Sequence, residues 1–222
     1  MLEVIALDAA DAEAAEEGGA DRLEIVADMS ADGLTPAART VAEIRRATRL
    51  PLRVMLRANG GFSTYPAELR RLRTAAAALA DAGADGFVLG FVDGTGGLDT
   101  AAMRALVSAV PGLPWTCHRA IDQVADPDSA WRELADLPGL DAVLTAGSPG
   151  GVGTGIDVLR RRAAADPHRL MAGGGLRPGH VPTLAASGVR AFHVGSLARR
   201  DGAWTSPVSP TAVRRWRHLV DR

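Results

Sequence analysis

The feature that most narrows what this chain can fold into is an alternation. A short apolar run, a turn and an alanine-rich amphipathic stretch follow one another, and the cycle recurs eight times. The apolar runs are Leu2 to Ala6, Arg22 to Val26, Leu52 to Leu56, Gly86 to Phe91, Pro114 to His118, Asp141 to Thr145, Arg169 to Ala172 and Ala191 to Val194. Helices are expected near Ala9 to Gly18, Pro36 to Arg49, Pro66 to Ala82, Asp99 to Ala109, Pro127 to Asp136, Ile156 to Ala165, Pro178 to Ser187 and Pro210 to Val220. Strands alternating with helices of this length build parallel βαβ units. Eight units in 222 residues predict one closed (β/α)₈ TIM barrel over residues 1–222, since such barrels are routinely single domains of roughly 200 to 250 residues. The competing architecture is an open doubly wound sheet. Punctuation agrees with the barrel. Gly19, Gly83, Gly139 and Gly188 stand where helices end, and Pro36, Pro66, Pro127, Pro178 and Pro210 stand where helices begin.

Composition removes several function classes. Net charge is −1, and the paired arginines (Arg45-Arg46, Arg70-Arg71, Arg199-Arg200, Arg214-Arg215) form no stripe. Nucleic-acid binding is therefore not expected. There is no lysine, so a Schiff-base aldolase mechanism is excluded. One cysteine, Cys117, permits no internal disulfide. No apolar run approaches the ~18 residues of a membrane span, and Met1 leads directly into Leu2-Glu3-Val4 without a basic leader. A soluble cytoplasmic protein without membrane contact is the expectation.

Barrel strands are buried on both faces and should read as continuous apolar runs. Several do not. Glu3 interrupts the first, Arg22 and Glu24 the second, Arg53 the third and His193 the eighth, while Arg57, His118 and Arg119 stand at strand ends. Side chains alternate along a strand, so Arg53, Met55 and Arg57 share a face. If that face is the lumen, Glu3 and Glu24 are placed to neutralise the arginines, because buried charge is costly unless paired. Such a cluster is either a structural salt-bridge layer or the floor of a site, and barrel sites form at strand carboxyl ends. Glycine-rich turns follow strands seven (Gly173-Gly174-Gly175) and eight (Gly195-Ser196). These are expected to bind phosphate or carboxylate through backbone N–H groups, or else simply to turn tightly. The run from Ala146 to Gly155 reads as a lid, an anion nest or a flexible connector, with Thr145 and Ser148 as ligand donors.

Taken together, Gly19-Ala20-Asp21-Arg22-Leu23-Glu24, Gly33-Leu34-Thr35-Pro36, Arg57 with Gly60-Gly61, Cys117-His118-Arg119-Ala120-Ile121-Asp122, Val143 to Gly147 and Met171 to Gly175 resemble the CutC family, named for copper homeostasis. The resemblance runs from Leu2 to about His193. It implies a cytoplasmic TIM barrel, often a homodimer, linked to copper tolerance. It places Glu3, Arg22, Glu24, Arg57, His118, Arg119, Asp122 and His193 on motif positions. The chain departs from the family pattern after the first- and second-strand glutamates. There Val4-Ile5-Ala6 and Ile25-Val26-Ala27 replace segments that often hold cysteine.

Three functions follow as alternatives. One is a role in copper homeostasis with copper bound directly. Cu(I) prefers thiolates and thioethers, and Cys117 is the sole cysteine for that metal role. The second is a lyase or isomerase acting on a small anionic or phosphorylated metabolite. There His118 is the general acid/base near neutral pH, Asp122 or a glutamate orients it, and Arg57 with Arg119 clamps the anion. Arg22, Thr145, Ser148, Gly174, Gly175, His193, Gly195 and Ser196 then complete ligand binding. The third is a catalytically empty scaffold whose rim is plugged by side chains.

Overall fold

The computed structural model describes residues 1–221. Eight strands pair in parallel and in chain order, and the eighth returns to the first, closing the barrel. They are β1 (Leu2–Ala6), β2 (Arg22–Ile25), β3 (Leu52–Met55), β4 (Gly86–Leu89), β5 (Trp115–Cys117), β6 (Leu140–Thr145), β7 (Leu170–Ala172) and β8 (Ala191–Val194). The helices are α1 (Ala9–Gly18), α2 (Ala38–Ala47), α3 (Pro66–Asp81), α4 (Thr100–Val107), α5 (Pro127–Ala135), α6 (Val152–Ala165), α7 (Val181–Ala186) and α8 (Pro210–Val220). No helix among the described residues is long and apolar enough to cross a membrane.

Strand alternation sorts the side chains into two populations. Leu2, Val4, Leu23, Ile25, Leu52, Val54, Phe87 and Leu89 point outward and pack under the helices in one continuous core. Burying each of them fully is worth roughly 1.5–3 kcal/mol. The alternate residues point inward. Ile5, Val26, Met55 and Val88 form one apolar patch in the lumen, and Ala142, Leu144 and Met171 form another. Between and below these patches lie Glu3, Arg22, Glu24, Arg53, Thr116 and His193, all buried.

Three boundaries differ from expectation, each for a local reason. Pro36 lies before α2, which starts at Ala38 with Ala37 extended as its N-cap. Pro178 opens a short 3₁₀ turn (Pro178–His180) that precedes α7. Helix α6 begins at Val152, four residues before the apolar periodicity suggests. Its first turn holds Gly153 and Gly155, poor helix formers read from sequence as loop. Close packing requires Gly155, since a Cβ there would lie 2.0 Å from the Ala146 carbonyl oxygen. Residues 152–155 are therefore a packed helix start, and the connecting loop is confined to residues 146–151.

The lower lumen holds a salt-bridge layer with an unexpected member. Register shifts between Trp115 and Thr116, so β6 carries an extra residue opposite β5. That bulge turns Asp141 toward Arg22 (3.3 Å) and Arg53, and Thr116 donates to it at 3.1 Å. The expected neutralisation of the arginines by Glu3 and Glu24 is corrected accordingly. Glu3 pairs with Arg22 at 2.5 Å, whereas the partner of Arg53 is Asp141.

Candidate functional site

A pocket of about 450 Å³ opens at the strand carboxyl ends, within the size range of small-molecule sites. Its mouth is not plugged. Glu24, Met55, Arg57, His118, Arg119, Leu144, Gly174, Gly175, His193, Gly195 and Ser196 line it, brought together from different strands and the loops that follow them. Loops add Met29, Asp32, Phe62, Arg177 and Trp204.

At the floor, three titratable side chains from β1, β8 and β2 stand in a row. The register that pairs Glu3 with both Arg22 and His193 sets them side by side. His193 Nδ1 lies 2.8 Å from Glu3 Oε1, and its Nε2 lies 3.6 Å from Glu24 Oε2. Glu24 Oε1 is buried without a hydrogen-bond partner. Burial alone raises the Glu3 carboxyl, but Arg22 and His193 outweigh it and bring the pKa down to about 2. Glu24 behaves oppositely. Burial raises it and the Glu3 charge adds to that, overcoming attraction from His193 and Arg22, so its pKa is about 7. Burial pulls His193 down, yet Glu24 and Glu3 hold it above the ordinary imidazole value. The row is one coupled unit: a carboxylate with a lowered pKa at the bottom, an imidazole shifted toward its protonated form between, and above it a carboxyl whose pKa is about 7.

His118 is not the near-neutral acid/base expected from sequence. Burial, with Arg57 and Arg119 nearby, lowers its pKa to about 3. Its Nδ1 accepts from the Ala120 N–H at 3.1 Å, so the neutral ring carries its proton on Nε2. That Nε2 is buried without a partner in the pocket wall. The Phe62 ring meets the imidazole edge-on, with centroids 5.5 Å apart. His118 is thus a preset hydrogen-bond donor. Asp122 does not orient it; that carboxylate takes Arg119 Nε at 2.9 Å, the Thr145 hydroxyl at 2.5 Å and the Ala146 N–H at 2.9 Å.

The other expected residues divide by where strand geometry points them. Arg57 reaches the rim, but its guanidinium donates to the carbonyls of Ala31, Asp32, Gly33, Gly60 and Gly61 and lies over Phe62 at 4.8 Å. It fastens two rim loops and is largely spent as an anion clamp. Arg119 keeps a partly exposed edge, its Nη2 touching the Pro149 carbonyl at 3.2 Å. Thr145 shares the outward face of Val143, so it meets Asp122 and not the pocket. The Ser148 hydroxyl accepts from Gly150 N–H and Thr154 Oγ1, again away from the pocket. Arg22 and Glu3 lie beneath the floor. Sequence reasoning missed Asp141, whose direction depends on a bulge, and Trp204. A tryptophan in an otherwise polar loop was the available signal for the latter.

A profile of the CutC family matches residues 1–198. The chain belongs to the CutC family. Curated relatives named family protein CutC include one from Xanthomonas campestris pv. campestris, 37% identical over 86% of this chain and 81% of that protein. Another, from Klebsiella pneumoniae, is 35% identical over 87% of this chain and 78% of that protein. Among solved structures, a CutC from Streptococcus agalactiae named for copper homeostasis superposes with a TM-score of 0.80. It is 23% identical and covers 88% of this chain and 97% of that one. A thiamine phosphate pyrophosphorylase from Pyrococcus furiosus reaches 0.64 at 18% identity, over 99% and 95% of the two chains. These two likenesses are of fold alone.

The CutC name raises copper, and the donor set does not fit a thiolate copper site. Cys117 alternates with His118 and points outward into the core under the helices. Burial, with the Asp122 charge, pushes its thiol pKa up, and copper binds the thiolate. No group of three or more His, Cys, Asp or Glu side chains that could hold a metal ion occurs among the described residues. A thiol reagent is expected to leave the native protein unlabelled and to titrate one thiol per chain after denaturation. Rapid labelling of the folded protein would contradict this placement.

Proposed function

We propose that this CutC protein is an enzyme that moves a proton at a carbon beside a carbonyl of a small anionic metabolite, an isomerase- or lyase-type reaction. The observation that carries this reading is the pair of unpartnered buried atoms lining one pocket, Glu24 Oε1 and His118 Nε2. Buried polar groups are ordinarily paired, and a site holding one acceptor and one donor free suits a substrate that supplies the complements. Ionised Glu24 takes the proton from carbon, and the C–H electron pair becomes the new C=C bond. The carbonyl π pair moves onto oxygen, where the His118 Nε2–H bond stabilises the enolate. Return of the proton from Glu24 to another carbon, or loss of a neighbouring leaving group, completes either outcome. A base with a pKa near the working pH is the efficient choice, and a neutral imidazole donates to a developing oxyanion without first losing charge. His193, held by Glu3, keeps Glu24 ionisable within an apolar wall. On this reading the family's link to copper tolerance runs through a metabolite and not through ligation by this chain.

Incubation of the protein in D₂O with a panel of carbonyl acids and sugar phosphates, read by mass spectrometry, tests it. Deuterium is expected to enter at least one compound, and the incorporation should disappear in Glu24→Gln. No exchange across the panel, or exchange that persists in that variant, would contradict the proposal.

A further inference from the structure

Resting on that acid–base reading, the pocket also specifies its substrate class. We infer that the substrate is a singly charged carboxylic acid with an apolar, ring-sized body, and not a phosphate ester. The charges that face the pocket are Arg57, Arg119, Arg177, Asp32, Glu24 and His193. Arg57 is occupied by five backbone carbonyls. Arg119 is paired with Asp122 at 2.9 Å, and Arg177 and Asp32 both stand exposed among the residues that line the mouth. His193 is balanced by Glu3 and Glu24 below. Behind the mouth, the one pocket guanidinium nitrogen left without a protein partner among the described residues is Arg119 Nη1. A phosphate dianion normally meets a helix N-terminus or several cations, and the turn after β8 is only a three-residue 3₁₀ turn (Ser196–Ala198).

The anion's place is beside Arg119 Nη1, since Nε is bonded to Asp122 and Nη2 to the Ser148 and Pro149 carbonyls. Gly174 and Gly175 both have positive φ, +86° and +76°, and a Cβ on Gly174 would lie 2.5 Å from Arg119 Nε. The Gly174 carbonyl accepts the Val152 N–H at 3.0 Å, while the amides of Gly174 and Gly175 donate to no acceptor among the described residues. One guanidinium nitrogen and two backbone N–H groups match one carboxylate. The rest of the wall is apolar: Ile5, Met29, Met55, Phe62, Leu144 and Trp204. Thioether and aromatic groups sharing a cavity wall favour a flat hydrocarbon body. The two unpartnered buried atoms, His118 Nε2 and Glu24 Oε1, lie in this same wall.

Isothermal titration at pH 7.5 with inert analogues separates body from charge without requiring turnover. The probes are 3-phenylpropionate, its neutral amide, propionate and inorganic phosphate. The Kd of 3-phenylpropionate is expected to be at least ten times lower than that of each of the others. Arg119→Gln and Trp204→Leu should each raise it about tenfold, whereas Glu24→Gln should leave it equal or lower. Phosphate as the tightest ligand, equal binding of acid and amide, no binding of 3-phenylpropionate, or binding indifferent to both Arg119→Gln and Trp204→Leu would overturn the inference. Deuterium exchange into a phosphorylated compound that is lost in Glu24→Gln would overturn it too, while leaving the acid–base reading intact.

Discussion

Glu24→Gln is expected to slow proton exchange into substrate by about 10²- to 10⁴-fold, the usual contribution of a positioned general base, while the protein becomes more stable in alkaline solution. Both effects have one cause. The carboxylate is buried, faces the pocket with one oxygen unpaired, and has its pKa raised from 4.5 to about 7. A folded-state pKa above the unfolded value means the native state holds its proton more tightly. That contribution to stability is complete below pH 4.5 and is lost as pH rises through 7. An amide carries no such loss. Unfolding free energies of wild type and variant should therefore coincide near pH 5 and diverge in favour of Gln as pH rises through 7 to 8.5, by an amount on the order of a few kcal/mol. A variant that loses both activity and alkaline stability would point to a structural glutamate instead.

Arg22→Ala is expected to destabilise the fold by about 3–5 kcal/mol, the cost of stripping a buried charge of its partner. Glu3 is fully buried, and the Arg22 guanidinium, 2.5 Å away, is its principal cation. The same guanidinium also reaches Asp141 and Thr116. Removing it leaves Glu3 with His193 alone, so the depressed Glu3 pKa should rise. A well-packed neutral replacement is a different case, because two apolar or amide groups need no counter-ion. The double variant Glu3→Gln/Arg22→Met is therefore expected to recover most of the loss in urea denaturation at pH 7. If Arg22→Ala and the double variant lose the same amount, the pair contributes packing and not charge compensation.

The architecture was readable because its signal repeats. Eight apolar runs at similar spacing leave little choice besides a closed parallel barrel, and β1, β8, α1 and α8 lie at the expected residues. The polar face of the lumen was legible from charges inside otherwise apolar runs, since alternation alone puts Glu3, Glu24 and His193 on the inner side. What failed depended on single local geometries. Asp141 faces the lumen because of one bulge, and Thr145 faces outward because alternation resumes after it. His118 looks like a near-neutral base in sequence. Its neutral state comes from complete burial beside two arginines, which no spacing reveals. Arg57 reads as an anion clamp because it stands at a strand end, but the carbonyls that occupy it belong to loops.

The direct measurement of the central claim is the protonation of Glu24 itself. Infrared difference spectra between pH 8.5 and 5.5, taken in wild type and in Glu24→Gln, isolate the stretch of a buried protonated carboxyl. A band that titrates with a midpoint near 7 and is missing from the variant is the predicted result. A Glu24 carboxyl that titrates between pH 4 and 5, like one in water, would contradict the account.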